Sequence, residues 1–263
     1  MKTAIFYHHV LKAAEETGKP VSEILKILHA EGLEGVDINA PDADNVLLEM
    51  LEKTGLQVSS LYRVVPVFSG ETQKGIELVD KAAEIGCKTV MLLPGSIPEE
   101  MDKETALLQS AGPLREISDY GQKHGVSVTV EDYDGRTLFG TSQDMLYFAD
   151  KAPNLCYTYD SGNFYTVEDP LEALEALKPK IRHVHLKDYS HSPTAFGAIS
   201  RTVRSGEVLY DVPFGYGKLP AEEILCRLRE NGYDGYMCLE HTNAEKMMEA
   251  NIAAIRYIRS KLN

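Results

Sequence analysis

Short β-rich runs alternate along the whole chain with longer runs whose apolar positions recur at helical spacing. The short runs are residues 3–9, 35–39, 56–64, 89–94, 126–131, 155–160, 181–187 and 235–240. Several alternate strictly. Val126, Val128 and Val130 interleave with Ser127, Thr129 and Glu131, and Val184 and Leu186 with His183, His185 and Lys187. Successive strand side chains point to opposite faces, so each run has an apolar face and a more polar one. The helical runs are clearest at 21–30, 45–55 and 74–86, and continue at 102–123, 142–151, 169–178, 219–231 and 244–261. Gly32, Gly55, Gly86, Gly125 and Gly232 stand where these helices should stop, just before the next strand.

Each parallel return of a sheet needs a crossover, so alternating strands and helices predict an α/β protein with a parallel sheet. Eight units in 263 residues predict a (β/α)8 barrel, a single domain over residues 1–263. An open doubly wound sheet is the rival, but the chain has no Gly-rich phosphate loop of the GxGxxG or Walker type. One connection breaks the rhythm. Residues 190–218 form a long segment after the seventh strand, and as a strand-to-helix connection it belongs on the catalytic face of a barrel.

Composition narrows the function classes. The formal net charge of −13 argues against a phosphate-backbone partner, because nucleic-acid affinity rests on Lys and Arg. The first residues carry no membrane-length apolar run, so neither a membrane anchor nor a targeting segment is expected. Cys87, Cys156, Cys226 and Cys238 form no CxxC pair, which suits reduced thiols and a cytoplasmic location.

The candidate chemistry sits at strand ends. Glu131, Asp160, His185 and Glu240 each lie near the end of one of the last four strands, on its polar face. Taken singly, such a Glu is more often a cap or surface charge, and such a His a core histidine. As a set, parity directs all four into the barrel, where a cluster of acids needs a compensating cation. Three oxygens and one nitrogen suit Mn2+, Mg2+ or Co2+, with Zn2+ admissible. Two further positions of an octahedral ion would accept a substrate carbonyl and its neighbouring hydroxyl. Proton removal beside that carbonyl would give a metal-bound enediolate, with Glu131 and Glu240 as the acid/base pair. His9, Arg63, Lys187 and Arg201 are candidate substrate contacts. His9 would stand on the pocket rim at the end of the first strand. Arg63 and Arg201 suit an anionic group, and Lys187 shares the inward parity of His185. Asp188 has the opposite parity and is expected to orient a neighbour, and His183 to play a structural part.

The pieces VTVEDY (128–133), YDSGN (159–163), HVHLKDY (183–189), GYGKLP (215–220) and GYMCLEH (235–241) resemble the sugar phosphate isomerase/epimerase superfamily, the xylose isomerase-like barrels. The resemblance implies that Glu131, Asp160, His185 and Glu240 hold one divalent metal and that the two glutamates move protons. It adds Asn163, at a position where epimerases of the group often place a substrate-binding histidine. It implies an isomerase or epimerase acting on a small polyhydroxy carbonyl compound. A dehydratase of an inosose-like keto-polyol and a non-catalytic sugar-binding barrel are the alternatives. A homo-oligomer is a further expectation by analogy with the group.

Overall fold

The structure of the chain is a computed structural model that describes residues 1–133 and 137–262. Eight parallel strands close a barrel: β1 (Lys2–Phe6), β2 (Gly35–Asn39), β3 (Gln57–Val64), β4 (Thr89–Leu93), β5 (Ser127–Glu131), β6 (Cys156–Asp160), β7 (Ile181–Leu186) and, after a three-stranded insertion, β11 (Tyr236–Leu239). β11 pairs with both β7 and β1, which leaves no free edge. Among the described residues ten α-helices pass between and around the strands: α1 (Tyr7–Thr17), α2 (Val21–Glu31), α3 (Asn45–Thr54), α4 (Gln73–Glu84), α5 (Lys103–Lys123), α6 (Ser142–Leu146), α7 (Ser161–Tyr165), α8 (Pro170–Leu177), α9 (Ala221–Glu230) and α10 (Met247–Leu262). None of the described helices is long and apolar enough to cross a membrane.

The two faces of each strand part as the alternation predicts. Val128, Val130, Val184, Leu186, Met237 and Leu239 belong to the large apolar layer shared with the helices. A separate small cluster of Ala4, Phe6 and Cys238, with Tyr62 and Tyr236 against it, fills the barrel interior. Polar side chains complete that interior: Thr129 and Thr158 share a hydrogen bond of 2.8 Å, and His183 and His185 are buried. Parity therefore decides that the polar residues meet one another rather than the helices.

Three expectations need correction. The first strand stops at Phe6, and Tyr7, His8 and His9 open α1 instead of ending a strand. Residues 142–151 form only one helical turn and a half, α6, held by a capping box between Thr141 and Asp144. The 190–218 segment is not an irregular loop. It folds as an antiparallel sheet in the order β8 (Asp188–Ser190), β10 (Val208–Val212), β9 (Ser200–Thr202). Buried Val203, Leu209, Val212 and Phe214 seat this sheet on the protein. Asp188 anchors it. Its carboxylate accepts backbone N–H groups of Tyr189 (2.8 Å), Gly215 (3.0 Å), Gly217 (2.9 Å) and Leu219 (3.0 Å). A Cβ on Gly217 would lie 2.1 Å from Asp188 Oδ1, so the second glycine of the turn has to be glycine.

Candidate metal centre

Glu131, Asp160 and His185 come from the C-terminal ends of β5, β6 and β7, and Glu240 follows β11 directly. The pairing register sets Asp160 beside His185 and His185 beside Cys238. One ligand-type atom from each of the four residues lies within 4.8 Å of the others.

Asp160 divides its two oxygens. It caps α7, where Oδ1 accepts the N–H groups of Gly162 (2.8 Å) and Asn163 (2.9 Å). Oδ2 is buried, takes no hydrogen bond and faces the Lys187 ammonium at 3.1 Å. His185 divides its nitrogens in the same way. Nδ1 contacts a Glu131 oxygen and lies 3.5 Å from Glu240, while Nε2 is 3.3 Å from Asp37 Oδ2. Asp37 Oδ2 also lies 2.6 Å from His183 Nε2, and Ser59 donates to Asp37 Oδ1. A carboxylate on Nε2 fixes the ring and leaves Nδ1 facing the carboxylates of Glu131 and Glu240.

The charges are strongly coupled. Burial alone would lower His185, but Glu131, Asp37 and Glu240 raise it well above the usual imidazole range. Burial opposes the Lys187 ammonium too, and Asp160 and Glu240 hold it charged. Burial would raise Asp37, but His183 and His185 outweigh it and keep this carboxyl well below the usual range. Asp132 is the converse. Burial, then the charges of Asp160 and Glu131, push its carboxyl well above the usual range. Its Oδ1 accepts the Asp160 N–H at 3.3 Å, and Oδ2 has no partner. Four converging hard to borderline donors and an orphaned buried carboxylate oxygen fit a divalent cation.

The other sequence candidates divide. Lys187 and Asn163 come to the cluster. Lys187 Nζ lies 2.9 Å from Glu240 and donates to Asn163 Oδ1 at 3.0 Å, and Asn163 donates to the Asp132 carbonyl at 2.8 Å. Arg201, on β9, sets its guanidinium 5.3 Å from the centre of the Tyr189 ring. Arg63 does not come to the cluster. It shares the outward parity of Leu61 and pairs with Glu77 of α4 at 3.1 Å. His9 is fully buried in α1 against His241, with neither ring nitrogen hydrogen-bonded, rather than on a rim.

Sequence reasoning passed over Asp37, Asp132 and Tyr189. Asp37 had a signal, as the lone charge inside the GVDIN strand. With His183, His185 and Cys238 it forms a second set of ligand-type atoms, all buried, and its carboxylate is already bonded to the two imidazoles. Beside Glu131 a cavity of about 290 Å³ opens between the ends of β3, β4 and β5, walled by Val64, Leu93, Leu138 and Phe139.

A parallel eight-stranded barrel with acids and an imidazole gathered at its C-terminal mouth defines a (β/α)8 protein with a candidate metal site. The chain belongs to the xylose isomerase-like TIM barrel family, whose model matches residues 25–260. An inosose dehydratase of Clostridium perfringens is 29% identical over 161 residues, 57% of this chain and 53% of that protein. The chain thus spans about half the length of that curated relative. The probable 3-DHS dehydratase AsbF of Bacillus anthracis superposes with a TM-score of 0.74 at 18% identity, over 98% of this chain and 99% of that one. D-Psicose 3-epimerase from Clostridium cellulolyticum H10, solved with D-tagatose, gives a TM-score of 0.74 at 16% identity over 100% of both chains. At such identities the two structures share the fold.

Proposed function

We propose that this protein is a divalent-metal-dependent enzyme that removes the proton α to the carbonyl of a small polyhydroxy carbonyl compound. The observation that carries the reading is the convergence of Glu131, Asp160, His185 and Glu240 beside a cavity that Glu131 itself lines. Glu131, Asp160, Glu240 and Nδ1 of His185 would hold the cation. Bound there, a divalent cation would polarise the substrate carbonyl and offset negative charge on its oxygen.

The chain's own groups do the remaining work. Glu131 and Glu240 both approach Nδ1 of His185, and they come from the ends of two strands, β5 and β11, that are not neighbours in the barrel. One carboxylate takes the proton and the other delivers one, which yields the isomer or epimer. Lys187 stays charged between Asp160 and Glu240, with Asn163 fixing its head, and would offer an N–H to a substrate oxygen once one of the two carboxylates turns to the cation.

Dehydration is the second reading, favoured by the name of the inosose dehydratase relative. It shares the first proton transfer, after which a β-hydroxyl leaves as water. The test uses Mn2+-loaded protein with ketoses and inososes in D2O. Deuterium should enter the substrate α-carbon, and Glu131→Gln and Glu240→Gln should each slow this by about 10²–10⁴-fold. Product that retains its mass apart from deuterium marks epimerisation or isomerisation, and product lighter by one water marks dehydration. Undiminished exchange in both variants would overturn the acid/base assignment.

A further inference from the structure

Above the four metal-type residues, two polar side chains of the inserted sheet have no task in the chemistry just described. Tyr189, on β8, has the same parity as His185 and Lys187 but stands one step further out. Its side chain is fully buried, and its hydroxyl has no hydrogen-bond partner among the described residues. A buried, unpartnered hydroxyl is costly unless something completes it. The guanidinium carbon of Arg201 lies 5.3 Å from the centre of the Tyr189 ring, within cation–π reach. This arginine is half-buried, and among the described residues no carboxylate reaches its guanidinium at ion-pairing distance. Among the described residues Arg182, Arg229 and Arg259 also lack an ion-pairing carboxylate, but they are exposed, whereas Arg201 is half-buried.

The neighbourhood is that of the site. Tyr189 feels the charges of Lys187, Arg201, Asp160 and Asp211, and burial keeps its phenol protonated and therefore a donor. Asp211 of the same sheet acts on both residues. Its Oδ2 accepts the Asn243 N–H at 3.0 Å, tying β10 to the segment that follows Glu240, while its buried Oδ1 has no hydrogen-bond partner among the described residues. The Tyr189 ring gives the guanidinium a partner that takes none of its N–H groups, so they are left to an oxyanion.

We propose that Arg201 and Tyr189 form an oxyanion-recognition subsite at the mouth of the metal-type cluster, and that the substrate carries a carboxylate or phosphate group away from its reacting carbonyl. The inference rests on the functional reading above and narrows its substrate class from neutral sugars to anionic ones. Arg201 supplies two N–H donors and the countercharge. Tyr189 supplies a third donor, and Lys187 contributes positive potential from below. A neutral hydroxyl would satisfy Tyr189 but leave the half-buried guanidinium without a counter-ion.

The test measures binding rather than turnover. Mg2+-loaded wild-type protein and Arg201→Met, Arg201→Lys and Tyr189→Phe variants are titrated calorimetrically with inorganic phosphate, shikimate and myo-inositol. At least one anion should bind wild type about tenfold more tightly than myo-inositol. Arg201→Met should abolish that preference while myo-inositol binding is unchanged. Arg201→Lys, which keeps the charge, should retain part of it, and Tyr189→Phe should weaken the anion by a few-fold. Selective binding of phosphate points to a phosphorylated substrate, and selective binding of shikimate to a carboxylate. No saturable anion binding to wild type, or anion binding that persists in Arg201→Met because the anion sits on the cation, overturns the subsite. Neither result touches deuterium exchange into neutral substrates, so the acid/base reading stands or falls separately.

Discussion

Asp160 shows at the scale of one residue how a site is assembled from ordinary local rules. As an N-cap it gives one oxygen to α7, which fixes the carboxylate plane and leaves the other oxygen in the barrel mouth, facing only the Lys187 ammonium. His185 obeys the same logic through Asp37, which occupies Nε2 and aims Nδ1 at the carboxylates. Replacing such an outer partner of a metal-binding imidazole typically costs 10–100-fold in metal affinity. Asp37→Asn should therefore weaken Mn2+ binding by that factor in a competition titration, while Ser59→Ala changes it far less. Asp132 carries a pH signature. Its carboxyl is raised in the folded state, so the native protein binds this proton where the unfolded chain has released it. In metal-free protein its contribution is greatest near and below pH 4, and is lost as pH rises through the folded-state value. Urea unfolding at pH 5 and pH 7.5 should show wild type gaining stability relative to Asp132→Asn at the lower pH. Equal pH dependence of the two proteins would show that Asp132 is not protonated in the native state.

At the scale of the element, the inserted sheet depends on one side chain. Four backbone N–H groups, from Tyr189, Gly215, Gly217 and Leu219, meet on the Asp188 carboxylate. Asp188→Ala leaves these donors without their partner, at a cost of about 1–3 kcal/mol for each that stays buried and unsatisfied. The expected outcome is a sheet that opens locally while the barrel persists. Hydrogen exchange should rise in residues 188–212 with little change in β4 and β5, and proteolysis should move to the same segment. Exchange that rises evenly through the molecule would instead assign Asp188 to the global fold. The regular elements were legible because their periods are strong and their ends marked, as with Gly55 after α3 and Gly32 after α2. The inserted sheet was not. Two of its strands are three residues long and rich in polar side chains, so their order comes from Asp188 and from packing against the barrel, not from a hydrophobic period. α7 was missed for a similar reason: five residues are too few to show a period, and the element exists because Asp160 caps it.

Across the whole molecule, the barrel gathers negative charge in one place and counters it with few cations. A ligand that binds the folded chain alone stabilises it by mass action, about 2.7 kcal/mol at one hundred times its dissociation constant. Mn2+ at that excess should raise the unfolding free energy of wild type by this amount, and chelation with EDTA should reverse it. Asp160→Asn should remove most of the gain. A gain undiminished in that variant would place the cation elsewhere in this chain of net charge −13.

The barrel, the inward faces of its strands and the four strand-end groups are already written in the order of residues, because period-two alternation and capping are local. Tertiary structure decided what surrounds them. Asp37 meets His183 across 146 residues, and Lys187 meets Asn163, Asp160 and Glu240 from three directions. Arg63, which looked equivalent to Arg201 on paper, turns outward to Glu77 because parity sets it on the helix side of β3. Arg201 comes to the mouth only because the inserted sheet folds back over it. Such contacts depend on barrel closure and on how far a loop returns, and neither is written in any local pattern of residues.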